Sequence, residues 1–112
     1  MNPGDISISS IPQADGQTKQ RPAVLLAEFP PFGEWLIVGV STQLQHHVPA
    51  LDEIVSDTDP DFRGSCLRAA SLIRGENMMV YPAARIRGRI GSISEARLRR
   101  LLTKLADFLR PN

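Results

Sequence analysis

An arginine held close to hydroxyl-bearing residues suits phosphate chemistry, because a guanidinium offers a rigid fork of donors to two phosphate oxygens and a hydroxyl supplies one more. In this 112-residue chain that combination falls on Arg21 and on Ser41-Thr42-Gln43. Arg21 stands where a polar stretch meets the apolar run Pro22-Ala23-Val24-Leu25-Leu26-Ala27, so its guanidinium can reach a cleft from a firmly held backbone. Ser41 closes the next apolar run, Trp35 to Thr42. If the two runs are antiparallel neighbours, these strand ends come close. Serine and threonine are common in strands, so residue type alone also fits a coincidental pairing.

Other chemistries find less support. No glycine loop leads to a phosphate-binding lysine, and no Gly-x-Ser-x-Gly elbow occurs. His46 and His47 are adjacent, so in an extended segment they point to opposite sides and cannot share one ion. We therefore expect neither metal nor cofactor. Cys66 reads as a small core residue, Trp35 as a packed side chain rather than a base-stacking platform, and Met78-Met79 as core. The charges are segregated along the chain. From Arg85 onward there are eight basic residues against Glu95 and Asp107, whereas the whole chain carries only +1. Such an end attracts phosphates, and an acidic stretch such as Asp52 to Asp61 fends them off or mimics them; a solvated, solubilising surface is the plainer reading of both.

The elements that must position these residues follow from pattern. Asp5 to Ile11 alternates polar and apolar and predicts a first strand with one buried face, and Pro12 to Gln20 reads as a polar loop. The runs 22–27 and 35–42 predict a pair of central strands, with a bulge or close approach at Gly39. Val48 to Val55 predicts an exposed strand, Ser65 to Ala70 a short one, and Arg85 to Gly91 an extended segment with three arginines on one side. Leu98, Leu101, Leu102, Leu105 and Leu109 have the spacing of an amphipathic helix whose apolar stripe is buried. Ser94 is its N-cap, Ile93 a staple onto Leu98, and Pro111 its stop. An apolar fraction of 42% with 22% charge suits one globular domain over residues 1–112. The fold class is mainly β with one helix, a small barrel. A single cysteine, no apolar leader and no apolar run near 20 residues predict a cytoplasmic protein without a membrane span.

The order Pro3-Gly4-Asp5-Ile6, Lys19-Gln20-Arg21-Pro22-Ala23-Val24-Leu25-Leu26, Leu36 to Gln43, Gly64-Ser65-Cys66-Leu67-Arg68 and Ile90-Gly91-Ser92-Ile93-Ser94 before a terminal helix resembles the MazF/PemK family of toxins over nearly the whole chain. The resemblance implies an SH3-like barrel of the MazF/PemK/CcdB type and a homodimer. It also implies an antitoxin partner with an acidic tail, and metal-independent cleavage of single-stranded RNA by the ribose 2′-hydroxyl. By position it assigns the phosphate-stabilising arginine to Arg21, the hydroxyl to Ser41 and the strand arginine to Arg68, with Lys19, Thr42 and Gln43 as substrate contacts. Some members carry an acidic base two residues after the strand arginine, where this chain has Ala70. Asp15, Glu34, His46 and His47 are the substitutes the sequence offers. Ala70 also leaves open a non-catalytic barrel that binds RNA or a protein. A gyrase poison of the CcdB sort is disfavoured by the ending Phe108-Leu109-Arg110-Pro111-Asn112, which lacks Trp-Gly-Ile.

Overall fold

The apolar run beginning at Pro22 has no polar face to offer water, and it becomes the middle of the longest strand, covered on both sides. The computed structural model describes residues 1–111. Its elements are β1 (Asp5–Pro12), β2 (Thr18–Phe29), β3 (Glu34–Ser41), β4 (Glu53–Val55), α1 (Phe62–Ser65), β5 (Ser71–Tyr81), β6 (Arg89–Ser92) and α2 (Glu95–Leu109), with 3-10 turns at Leu44–His46 and Ala83–Arg85. The strands form one sheet in the order β4-β5-β3-β2-β1-β6, and every neighbouring pair is antiparallel.

The sheet is curled into a half-barrel. Its concave face holds Ile11, Ala23, Leu25, Trp35, Ile37 and Ile86. The Tyr81 hydroxyl donates to Ser10 O at 2.9 Å and ties the end of β5 to β1 across that face. The opposite face carries Ile6, Val24, Leu26, Val38, Val40 and Ile73 and is closed by Leu101 and Leu105 of α2. Each fully buried leucine or isoleucine contributes roughly 2 kcal/mol through removal from water. The α2 N-terminus matches its sequence signals. Ser94 accepts from Arg97 N at 3.1 Å, and Ile93 and Leu98 lie in one cluster.

Several elements differ from the sequence reading. β1 is buried on both faces, because β2 and β6 flank it and both faces of the sheet are covered. β2 starts at Thr18, so Lys19, Gln20 and Arg21 belong to the strand and only residues 13–17 loop out; pairing with β1 extends the strand past its apolar run. Strand β4 covers only Glu53–Val55 and is largely buried. Residues 65–70 form no strand. The chain ends α1 there and turns at Cys66, whose φ of 57° makes it a left-handed C-cap, and the cysteine is exposed rather than core. On α2 the stripe is buried only at its front: Leu102, Phe108 and Leu109 are exposed.

Candidate functional site

β2 and β3 pair Ala23 with Gly39 and Val24 with Val38. Extending that register two residues past its last pair sets Arg21 across from Ser41, and Arg21 itself pairs with Ser9 of β1. Opposed residues of an antiparallel pair share a face. Ser9, Arg21 and Ser41 therefore lie side by side on the concave face, at the end where its apolar filling stops. Ser7 and Ser9 are fully buried there, their hydroxyls 3.3 Å apart. Arg21 is half-buried, and its Nε is buried without a hydrogen-bond partner among the described residues.

Ser41 Oγ accepts the Gln43 N–H at 3.0 Å. This engages a lone pair of the hydroxyl and leaves its proton for another acceptor. Thr42 and Gln43 are exposed just beyond β3, and Gln43 Oε1 accepts from Gln45 Nε2 at 2.7 Å. Lys19 is exposed on β2, opposite Ile11. These residues gather at one end of the sheet. Arg68 does not sit on a strand: it is exposed in the bend before β5, and Ala70 directly precedes that strand.

On the other side of β3 the structure supplies residues that sequence reading missed. Between the pairs Val40–Ile73 and Val38–Met78, β3 has one residue, Gly39, while β5 has four, Arg74-Gly75-Glu76-Asn77. This wide bulge is pinned from behind. Gly75 N donates to Asp52 Oδ1 at 2.8 Å, and Gly75 packs so closely on Leu51 O that a Cβ there would overlap it. In front, the Asn77 carboxamide fills the space a Cβ on Gly39 would need. The Arg74 Nη2 pairs with Glu76 Oε1, while the Arg74 Nε is buried and unpartnered among the described residues. Strands lie about 4.8 Å apart, so the Arg21 and Arg74 backbones flank β3 at roughly 10 Å. The signal for this pair, an arginine with an acid two residues on, is present at 74–76. Reading 65–70 as the strand obscured it.

The other acids and histidines are scattered. Glu34 begins β3, at the end away from Ser41. Asp15 caps the β1–β2 turn by accepting from Gln17 N at 3.0 Å. His46 lies in the 3-10 turn that follows Gln43. The segregated charge of the sequence cancels in space. Glu53 pairs with Arg97, Arg100 and Lys104, and Asp59 and Asp61 pair with Arg97. The acidic stretch thus serves α2 rather than mimicking phosphate.

No family model matches the chain, and no curated protein matches it. Among solved structures it is similar to the Mycobacterium tuberculosis toxin MazF-mt6, with a TM-score of 0.66 and 19% identity over 92% of this chain and 93% of that one. The fold is MazF-like. No helix among the described residues is long and apolar enough to cross a membrane.

Proposed function

From the MazF-like fold we propose that this chain is the toxin of a toxin–antitoxin pair, a metal-independent endoribonuclease that cuts single-stranded RNA. The observation that carries the proposal is the pair of arginines on either side of β3, each with a buried Nε lacking a partner among the described residues, beside the free hydroxyl proton of Ser41. A buried donor without an acceptor costs roughly 1–3 kcal/mol, and a phosphate oxygen supplies the missing acceptor.

In this reading Arg21 and Ser41 hold the non-bridging oxygens of the scissile phosphate. Arg74 and Glu76 take the roles that sequence position gave to Arg68 and residue 70. The Glu76 carboxylate, oriented by Arg74, accepts the proton of the ribose 2′-hydroxyl. The 2′-oxygen forms a bond to phosphorus as the bond to the 5′-oxygen breaks. The 5′-oxygen takes up a proton from water, Glu76 returns its proton to solvent, and a 2′,3′-cyclic phosphate and a 5′-hydroxyl result. Preorganised donors contribute most of such a rate, and a positioned base adds roughly 10²- to 10⁴-fold. Lys19, Thr42 and Gln43 contact the flanking backbone, the active form is a homodimer, and an antitoxin with an acidic tail blocks the groove.

The test is cleavage of a mixed RNA in EDTA with analysis of the product ends. The wild type is expected to cut. Arg21→Ala and Glu76→Gln are each expected to lose about 10²-fold or more in rate with unchanged thermal melting, since neither side chain contributes to either apolar cluster. Equal cleavage by wild type and Arg21→Ala sinks the proposal. RNA binding without cutting by the wild type replaces it with a non-catalytic binder.

A further inference from the structure

With Arg97, Arg100 and Lys104 engaged by Glu53, few cations of the basic end are left without a carboxylate partner, and two of them share one cleft. The cleft has a volume of about 630 Å³ and lies between the β1–β2 hairpin at Ser10 and Thr18, the end of β5 at Met79 and Tyr81, and Arg85 and Arg87. Among the described residues no carboxylate lines it. Its size is that of a small-molecule site.

The two arginines are rigidly presented. Ile86 between them is buried in the concave cluster, so its neighbours point away from the core, and Arg87 N donates to Ile8 O at 3.4 Å. Neither guanidinium has an ion-pair partner among the described residues. Arg89 does not join them, although the sequence places all three on one side. Gly88, at φ 73°, turns the chain, and Arg89 binds Asp5 Oδ1 at 3.1 Å and Ser92 Oγ at 3.3 Å instead. The Tyr81 hydroxyl is engaged by Ser10 O, which holds the ring in place at the cleft wall. Along the β1–β2 ladder the cleft lies one step from the proposed cutting site: Ser10 pairs with Gln20, to which it is also joined by a 2.6 Å hydrogen bond from Gln20 Nε2 to Ser10 Oγ, and Ser9 pairs with Arg21, whose side chain points to the other face from that of Gln20.

We infer that this cleft seats a nucleotide of single-stranded RNA flanking the one that is cut, its phosphate between Arg85 and Arg87 and its base against Met79 and Tyr81. The fit is of charge and shape: two free guanidinium forks, an aromatic and a thioether wall, and a strand-level link to Arg21. The inference rests on the reading of this chain as RNA-binding.

The test uses a labelled 2′-O-methyl RNA ten-mer, which has no 2′-hydroxyl to attack, titrated by fluorescence anisotropy at several salt concentrations. Parallel assays follow cleavage of the unmodified RNA. Arg85→Ala/Arg87→Ala is expected to bind about tenfold more weakly at low salt. Its plot of log affinity against log salt should be shallower by about 0.7, the slope of one single-strand phosphate contact. Arg99→Ala/Arg110→Ala removes the same charge from α2 and is expected to bind like the wild type. Equal weakening in both double variants, unchanged binding in the first, or no binding by the wild type overturns the inference. If the wild type cuts RNA and the cleft variant binds unchanged, the cleft assignment falls and the nuclease reading stands. If the ten-mer binds through Arg85 and Arg87 but no RNA is cut, the nuclease reading falls and the cleft assignment stands.

Discussion

Arg97 and Arg21 are both arginines packed against the sheet of one small protein, yet their surroundings are opposite. The Arg97 Nε donates to Asp61 Oδ2 at 2.8 Å, its Nη1 to Glu53 Oε1 at 3.2 Å and Ile54 O at 2.7 Å, and its Nη2 to Asp59 Oδ2 at 2.9 Å and Asp61 Oδ1 at 3.0 Å. A guanidinium has five N–H donors, and here all five are engaged. The Arg21 Nε, equally out of water, has no acceptor among the described residues. The contrast separates structure from function. A cation whose every donor ends on its own chain joins elements, here the start of α2 to β4 and the 56–61 loop. In the proposed function, a cation held with a donor left over is the one that takes the phosphate.

The largest expected effect tests the structural half of that contrast. Arg97→Ala leaves Asp61 without its cation, takes one of three cations from buried Glu53, and is expected to destabilise the fold by about 3–5 kcal/mol in denaturant unfolding. At a temperature where it remains folded, its cleavage rate should stay close to that of the wild type. Arg21→Ala should show the reverse. If both variants lose stability alike, the division between the two arginines is wrong.

Gly39→Ala probes the functional half. The added Cβ displaces the Asn77 carboxamide beside the Arg74–Glu76 bulge. Misplacing groups at a reacting centre costs up to about 10²-fold. A rate loss with melting shifted by only a few degrees is expected, while full activity would remove the bulge from the site.

Acid titration gives the smallest effect. The Arg97 guanidinium beside Asp61, helped by the Ser94 N–H, lowers the Asp61 carboxyl from 3.8 to about 2. A carboxyl lowered on folding stabilises the protein fully above its unfolded value and loses that contribution as pH falls from about 4 through about 2. The shift corresponds to about 2 kcal/mol. Comparing Asp61→Asn with the wild type by unfolding at pH 6 and pH 2 should show the stability gap shrinking by roughly that amount, and a constant gap would contradict the assignment.

Much of this molecule was legible in one dimension. Apolar runs located β2 and β3, the leucine spacing with Ser94 and Ile93 gave α2 and its cap, and Gly39 marked a bulge. These signals are local, each carried by neighbours within a few residues, and they also placed Arg21 and Ser41 at adjoining strand ends. The misreadings share a cause. Cys66 and residues 65–70 resembled a strand by composition, but a left-handed residue turns the chain there. The register on β5 then set which arginine lies beside β3, and the bulge that carries Arg74, Glu76 and Asn77 is pinned by Asp52 and Leu51, more than 20 positions away. Net charge behaved likewise. The basic end and the acidic stretch look independent along the chain, and only folding showed that they neutralise each other and leave Arg85 and Arg87 to line a cleft. Residue type and spacing thus determined β2, β3 and α2 and offered an arginine and a hydroxyl for phosphate. The curl of the sheet, the bulge and the pairing of distant charges decided which cations remain free to bind, because those depend on contacts that no local pattern encodes.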